Sequence, residues 1–266
     1  MVFSIAKLNT LPRLERDDFF LQLIPDPIFQ KFEIDRKTLK NTYGERVVCG
    51  IFPPDENLSC VEVKYRAQDK DLLFSCQVSL ESFMQSLSLD FLGINDPFSE
   101  RFHVDVDEFG KETLLGTRSR NIPEEITAME AGLAPGMIRK GLHLAGEFMT
   151  FLEGFAASLG LKVITLGALY YHNAILWERY GFIYFKGGKV MEKIHEEFQP
   201  GGLLFRKLDD SSPFRKKGME KTVRGRSWAL YDGILFEVFG EDWESPQMYK
   251  MLGRDLRVNS FLDQIY

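Results

Sequence analysis

Two short segments of this chain carry side chains whose types and spacing suit chemistry. The first is Gly136 to Ala145, where Arg139 and Lys140 lead into Gly141-Leu142-His143-Leu144-Ala145 ahead of a long apolar run of helical period. A helix N-terminus offers several N–H groups without intrahelical partners and about half a positive charge, which suits a pyrophosphate. Arg139 and Lys140 would add direct cationic contacts, and a glycine at the turn lets a phosphate approach the backbone closely. The same residues also read as a plain helix start with a solvated first turn, and the residue types leave both readings open. The second segment is Tyr171 to Phe182, in which Tyr171, His172 and Tyr180 are groups able to exchange a proton, each of them equally a packing or surface residue.

Other chemistries lack their usual residues. No GxSxG, P-loop or HExxH pattern occurs, which removes the sequence evidence for a serine hydrolase, a nucleoside triphosphatase or a zinc protease. Asp105 and Asp107 before Gly110 faintly resemble a calcium loop, but Phe109 interrupts it and the closing glutamate is missing, so a hairpin turn is the reading and no metal is expected. Cys49, Cys60 and Cys76 are three, without a CxxC pair or a nearby histidine cluster, and read as reduced buried thiols of a cytoplasmic protein. A net charge of −6 argues against a general nucleic-acid binder, although Lys207, Arg215, Lys216, Lys217, Lys221, Arg224 and Arg226 form a local basic stretch beside Phe214 and Trp228. Glu220, Asp209 and Asp210 are interleaved there, which favours a solvated loop. No run approaches the ~18 apolar residues of a membrane span, and the N-terminal residues have no signal-peptide core.

The elements that must position these groups follow from period. Residues 1–45 mix the apolar patch Phe19 to Ile24 with Pro25-Asp26-Pro27 and the charged run Asp35 to Lys40, and read as a peripheral arm. VVCGIF, CVEVKYRA and LLFSCQVSL read as three antiparallel strands, the second with Val61, Val63 and Tyr65 alternating against Glu62, Lys64 and Arg66. A short helix is expected over Glu81 to Phe91 and a strand over Phe102 to Asp107 with its turn at Glu108 to Lys111. Ile138, Leu142, Ala145, Met149, Leu152, Ala156 and Leu159 then predict one helix from Gly136 to Leu159, stopped by Gly160. LKVITLGAL reads as a strand covered on both faces, His172 to Tyr180 as a short helix ended by Gly181, Phe182 to Phe185 as a strand, and Lys189 to Phe198 as a helix. Ser227 to Phe239 has strand-like texture, and Tyr249 to Leu262 suits a final helix.

The order strand, long helix, strand, short helix, strand from about Glu130 to Phe185 resembles the core of the GNAT superfamily of N-acetyltransferases. The family opens its coenzyme-binding helix with Arg/Gln-x-x-Gly-x-Gly/Ala, which falls here on Lys140-Gly141-Leu142-His143-Leu144-Ala145, with His143 where glycine is usual. The family's Asn-x-x-Ala-x-x-Leu-Tyr-x-x-x-Gly-Phe is similar to Asn173-Ala174-Ile175-Leu176-Trp177-Glu178-Arg179-Tyr180-Gly181-Phe182, matching from Leu176 onward, with Trp177 at the tyrosine position and the asparagine about three residues too near.

The resemblance implies an α/β fold of the α+β kind, with a mixed central sheet flanked by helices. The arm (1–45) and an extension (201–266) would flank a GNAT-like core (46–200). It also implies a splayed pair of parallel strands holding the pantetheine arm of acetyl-coenzyme A or another acyl-coenzyme A. Arg139 to Ala145, Asn173 and Trp177 would contact that co-substrate. The acceptor would be a small-molecule or peptide amine. Glu130, in the strand expected before the turn, is the carboxylate suited to accept the amine proton, ahead of Glu124 and Glu125; Tyr180 or His172 would replace the tyrosine that Trp177 displaces as proton donor. A catalytically silent relative that binds a ligand or a protein partner is the alternative, because His143 and Trp177 both depart from the pattern.

Overall fold

The structure, a computed structural model, describes residues 4–81, 85–116, 118–254 and 256–261. Along the chain, helices α1 (Ile5–Asn9), α2 (Arg13–Phe20) and α3 (Asp26–Lys31) precede strands β1 (Val48–Ile51), β2 (Leu58–Val63), β3 (Phe74–Glu81) and β4 (Ser86–Ile94). Helix α4 (Ile122–Glu130) and helix α5 (Ala145–Ser158) follow, then β5 (Val163–Gly167), α6 (Tyr171–Arg179), β6 (Ile183–Lys186) and α7 (Gly188–Glu197). The chain closes with α8 (Leu203–Arg206), α9 (Val223–Tyr231), α10 (Ile234–Phe239) and β7 (Gln247–Met251). The strands form a seven-stranded mixed sheet in the order β1-β2-β3-β4-β5-β7-β6, so the fold is mixed α/β with helices flanking the sheet.

Two compact units divide the described residues. The first takes in those up to Phe98, Gly141–Leu166 and Tyr249 to 254; the second takes in Ser99–Lys140, Gly167–Met248 and those from Leu256. In the first unit β1 to β4 are antiparallel neighbours, in keeping with the three antiparallel strands expected from the β-branched and aromatic runs. The expected helix over Glu81 to Phe91 is corrected to strand β4; residues 82–84 lie outside the described part. Leu87 and Leu89 are buried while Asp90 is exposed, a period of two that a helix would scramble. Helix α5 covers this sheet: Phe148 meets Phe74 at 6.0 Å between ring centres, and Phe155 meets Phe19 at 5.1 Å and Phe20 at 5.8 Å. Phe20, Leu23 and Ile24 are fully buried, so the N-terminal helical segment contributes to this interior. Cys60 and Cys76 are buried as expected, Cys49 is exposed, and all three are free thiols.

The predicted helix from Gly136 is shorter at its start. Residues 136–144 are irregular, with Gly136 at φ 78° and His143 at φ 59°, and α5 begins at Ala145. Its far end is as read: Gly160 takes φ 73° and its N–H bonds to the Ala157 carbonyl at 2.9 Å.

In the second unit a small core joins Phe102, Val104, Ala128 and Leu133, flanked by Met137 and Ile138. The strand expected over Phe102 to Asp107 reduces to one bridge, Val106 with Glu112; the turn is real, because the Asp107 carboxylate accepts the N–H groups of Phe109 (3.0 Å) and Lys111 (2.9 Å). Helix α6 ends as predicted, with Gly181 at φ 82° and the Phe182 N–H returning to the Trp177 carbonyl at 3.2 Å. The strand-like stretch Ser227 to Phe239 is corrected to helices α9 and α10: Thr222 caps α9 by accepting the Gly225 N–H at 2.9 Å, and α9 buries residues on every side, so no face reads as polar. The final helix expected from Tyr249 is corrected to strand β7, which ends at Met251; Leu262 lies outside the described residues. Phe155, 1% exposed among these rings, is the test of the first unit's packing. Phe155→Ala is expected to lower stability by about 3–5 kcal/mol in denaturant unfolding.

Candidate functional site

The arrangement with most chemical content lies in the first unit, where β4, α5 and β5 form a parallel crossover. Three rungs join β4 and β5: Leu87 with Ile164, Ser88 with Thr165, and Leu89 with Leu166. There the pairing stops. The register against β3 passes from Val78–Leu89 to Gln77–Phe91, leaving Asp90 as the extra residue of a bulge, and bulges turn a strand away from its line. Residues Phe91 to Ile94 continue to pair with β3, but among the described residues their other edge has no strand partner. Main-chain N–H and C=O groups on such an edge are ready to receive an extended, amide-bearing ligand.

The chain returns to this end of β4 after residues 96–140. Gly141 bridges Asn95, and a side chain at 141 would sit 3.1 Å from the Ile94 carbonyl oxygen, a reason for glycine there. His143, exposed, holds the left-handed conformation that glycine adopts most easily. Leu144 then caps α5 with no side-chain hydrogen bond, and the first-turn N–H groups of Ala145, Gly146 and Glu147 precede the first i to i−4 bond, Phe148 N–H to the Leu144 carbonyl at 2.9 Å. The positive end of α5 is thereby left to solvent or to an anion, and the exposed Glu147 supplies a negative charge in the same turn.

The remaining expected site residues lie in the second unit. Arg139 donates a hydrogen bond to the Ser99 carbonyl, and the Lys140 N–H donates to Ser99 Oγ at 3.2 Å while its side chain is exposed. Glu130 is corrected from a strand to the last residue of α4, with an exposed carboxylate 4.0 Å from Lys216 Nζ. Of its neighbours, Glu124 accepts the His103 N–H at 2.8 Å, and Glu125 is buried against Arg120. Trp177 is buried, 5.6 Å from the Phe182 ring and 6.2 Å from that of Tyr180, and fills space. Asn173 Oδ1 accepts the Tyr170 N–H at 3.2 Å at the start of α6.

His172 is buried and linked to a residue that sequence reasoning did not single out. Its Nδ1 lies 2.9 Å from Ser227 Oγ and its Nε2 lies 3.1 Å from Asn173 Nδ2. Because the Asn173 amide nitrogen can only donate, Nε2 accepts, and the assignment consistent with both contacts is a neutral ring protonated on Nδ1. Burial, then the charge of Arg224, pushes its pKa down to about 3, so the ring is a poor proton acceptor near neutrality. Much of the basic stretch is matched within this unit: Arg215 with Asp232 (2.8 Å) and Glu237, Lys207 with Glu237, Lys217 with Asp210 (3.6 Å).

Among the described residues no group of three or more His, Cys, Asp or Glu could hold a metal ion, and no helix is long and apolar enough to cross a membrane. Comparison with protein-family models, with curated proteins and with solved structures finds no match.

The histidine carries a pH prediction. Unfolded, it takes up a proton near its ordinary 6.5; folded, only near 3. The unfolded state therefore binds more protons between those values, and this contribution to stability is complete above about 6.5 and lost as pH falls toward 3. Urea unfolding across that window is expected to show a shallower pH dependence for His172→Gln than for the parent chain; equal slopes would assign the titration elsewhere.

Proposed function

We propose that this chain is an acyl-coenzyme A-dependent N-acyltransferase acting on an amine. The observation that carries the reading is the parallel pair β4–β5, which ends at Leu89 and Leu166 while β4 runs on to Ile94 with an open edge. Such a parting is what the GNAT resemblance calls for, as the place of the pantetheine arm. The uncapped start of α5, with His143 keeping a glycine-like conformation at the pattern's glycine position, supports a pyrophosphate at the same end of the crossover.

In this reading the amine nitrogen attacks the thioester carbonyl, a C–N bond forms as the C–S bond breaks, and the coenzyme leaves as a thiolate that takes up a proton. Main-chain N–H groups on the β4 edge are the donors available to polarise the carbonyl. The resemblance gives the role of proton acceptor to Glu130, whose carboxylate is exposed, and between Tyr180 and His172 the donor role falls to Tyr180, because His172 is held neutral and buried.

A second reading, binding of coenzyme or partner without transfer, is favoured by one observation. The position of the family's proton-donating tyrosine is a buried tryptophan, whose indole N–H is no useful acid.

Titration with coenzyme A, acetyl-coenzyme A and a long-chain acyl-coenzyme A is expected to raise the unfolding temperature with at least one of them, since a ligand of the native state stabilises it. No binding by calorimetry up to about millimolar concentration would sink the acyltransferase reading and leave only the binding of another ligand or a partner. His143→Gly should bind coenzyme A several-fold more tightly without loss of stability, because it removes a side chain from the phosphate approach at a backbone already suited to glycine.

Transfer to a panel of amines separates the two readings. Glu130→Gln is expected to cut the rate about 100-fold with folding and coenzyme affinity unchanged. Coenzyme binding with no transfer to any amine by the parent chain would establish the silent reading.

A further inference from the structure

A second place in the first unit has the form of a ligand site, and it owes nothing to the β4–β5 crossover. A cavity of about 540 Å³ opens among α2, α3 and the loop that follows α3, within the size range of small-molecule sites. Its wall carries four cationic side chains, Arg13, Arg36, Lys37 and Arg46, against the two carboxylates of Asp17 and Asp18. In a chain of net charge −6 this is a local reversal of sign.

The pairing inside the wall leaves positive charge over. Arg13 Nε and Arg46 Nη2 share one oxygen of Asp17 at 3.6 and 3.8 Å, and the other oxygen accepts from Arg16 at 3.2 Å, so one carboxylate faces three guanidinium groups. Arg36 pairs with Asp26 and lies over the Phe29 ring at 4.3 Å. Lys37 stands on a tight turn in which Asp35 Oδ1 accepts the N–H groups of Lys37 (3.0 Å) and Thr38 (2.6 Å). This turn fixes the backbone that carries Arg36 and Lys37.

Apart from Gln22 the rest of the lining is apolar: Leu14, Leu21, Phe29 and Leu39. Leu14 is 80% exposed, and a narrow crevice lined by Phe20, Val48 and Val61 adjoins the same wall at Leu21 and Leu39.

We propose that this cavity binds a small organic phosphate, its dianion among Arg13, Lys37 and Arg46 and its carbon part against Leu14 and Leu21. A phosphate dianion matches the surplus of guanidinium groups, which recognise it by paired hydrogen bonds, and the apolar lining selects an ester over the free ion.

Phenyl phosphate is the probe, titrated calorimetrically into the full chain. It is expected to bind with sub-millimolar affinity that weakens as salt is added, and inorganic phosphate and phenol should each bind about tenfold more weakly. Lys37→Gln and Arg46→Gln should each reduce phenyl phosphate affinity about tenfold while coenzyme A affinity is unaltered. Should either variant lower the unfolding temperature, protection of Lys37 from amine acylation by phenyl phosphate, followed by mass spectrometry, reads the same site on the unaltered chain. Absence of binding up to about 10 mM, binding that the two variants leave unchanged, or a Lys37 that labels equally with and without the probe would overturn the proposal.

Discussion

Parallel pairing of β4 with β5 is the constraint on which the first unit depends. Strands running the same way cannot be joined by a tight turn; the chain must leave the sheet edge, cross a face and come back. Helix α5 is that crossing, and it can serve only because Phe148, Leu152 and Phe155 give it a face to bury. The rings it meets, Phe74 on β3 and Phe19 and Phe20 at the end of α2, tie the sheet and the N-terminal helices into one aromatic interior. Pairing also ends early. With Asp90 bulged out of register, β4 keeps its bonds to β3 and gives up those to β5 after Leu89. The open edge and the uncapped start of α5 are thus two consequences of one turn of the chain, which leaves them at the same end of β4 through the Asn95–Gly141 bridge.

The second unit is organised by buried charge instead. Glu178 on α6, 1% exposed, accepts the Ser260 N–H at 2.9 Å, the Ser260 hydroxyl and the Tyr184 hydroxyl. Burial, then Glu178 itself, holds the Tyr184 phenol protonated well above its ordinary range. Arg226 on α9 is buried, donates to the Glu220 carbonyl at 2.6 Å and lies 3.8 Å from the centre of the Phe261 ring. Arg120 forks onto Glu125 under the Tyr231 ring at 4.3 Å. Charges taken out of water are tolerated only when nearly every lone pair and proton is met, so each cluster accepts one packing of its helices and few others. This explains why α6 can carry His172, Glu178 and an aromatic row and yet show little free chemistry: most of its polar atoms are committed to holding neighbours.

Legibility from sequence followed the range of the interaction. Strands β1 to β3 were readable because each is a β-branched or aromatic run that meets its sequence neighbour, and the second also alternates, with Glu62 and Lys64 less buried than Val61 and Val63. The end of α6 was readable because Gly181 and Phe182 act within one turn. Strand β4 was missed although Leu87 and Leu89 alternate with Ser88 and Asp90, because the apolar residues just before it blur the period and its second partner, β5, lies some seventy residues on. Helix α9 gave no amphipathic signal because Arg226 and Ser227 are buried with Trp228, each through a long-range contact. Of the candidate site, residues 140–145 were legible as a pattern, but their backbone was read as helix, so the left-handed turn at His143 was missed. The Ser227 partner of His172, 55 residues away, was not legible.

What a site is made of decides how far its sequence may drift. The proposed binding of a pantetheine arm and a pyrophosphate asks for main-chain donors and a helix end, which a strand edge and a helix start can offer whatever side chains decorate them. His143 shows the latitude: it holds a conformation that favours glycine with an imidazole in place. Proton transfer is less forgiving, since it needs a particular side chain at a particular distance. Trp177 marks that limit under the proposed reading: it is buried, and an indole N–H is no useful acid. In a chain of this design the coenzyme half of the proposed activity is the part that physical constraint preserves, and the catalytic half is the part that individual substitutions can remove.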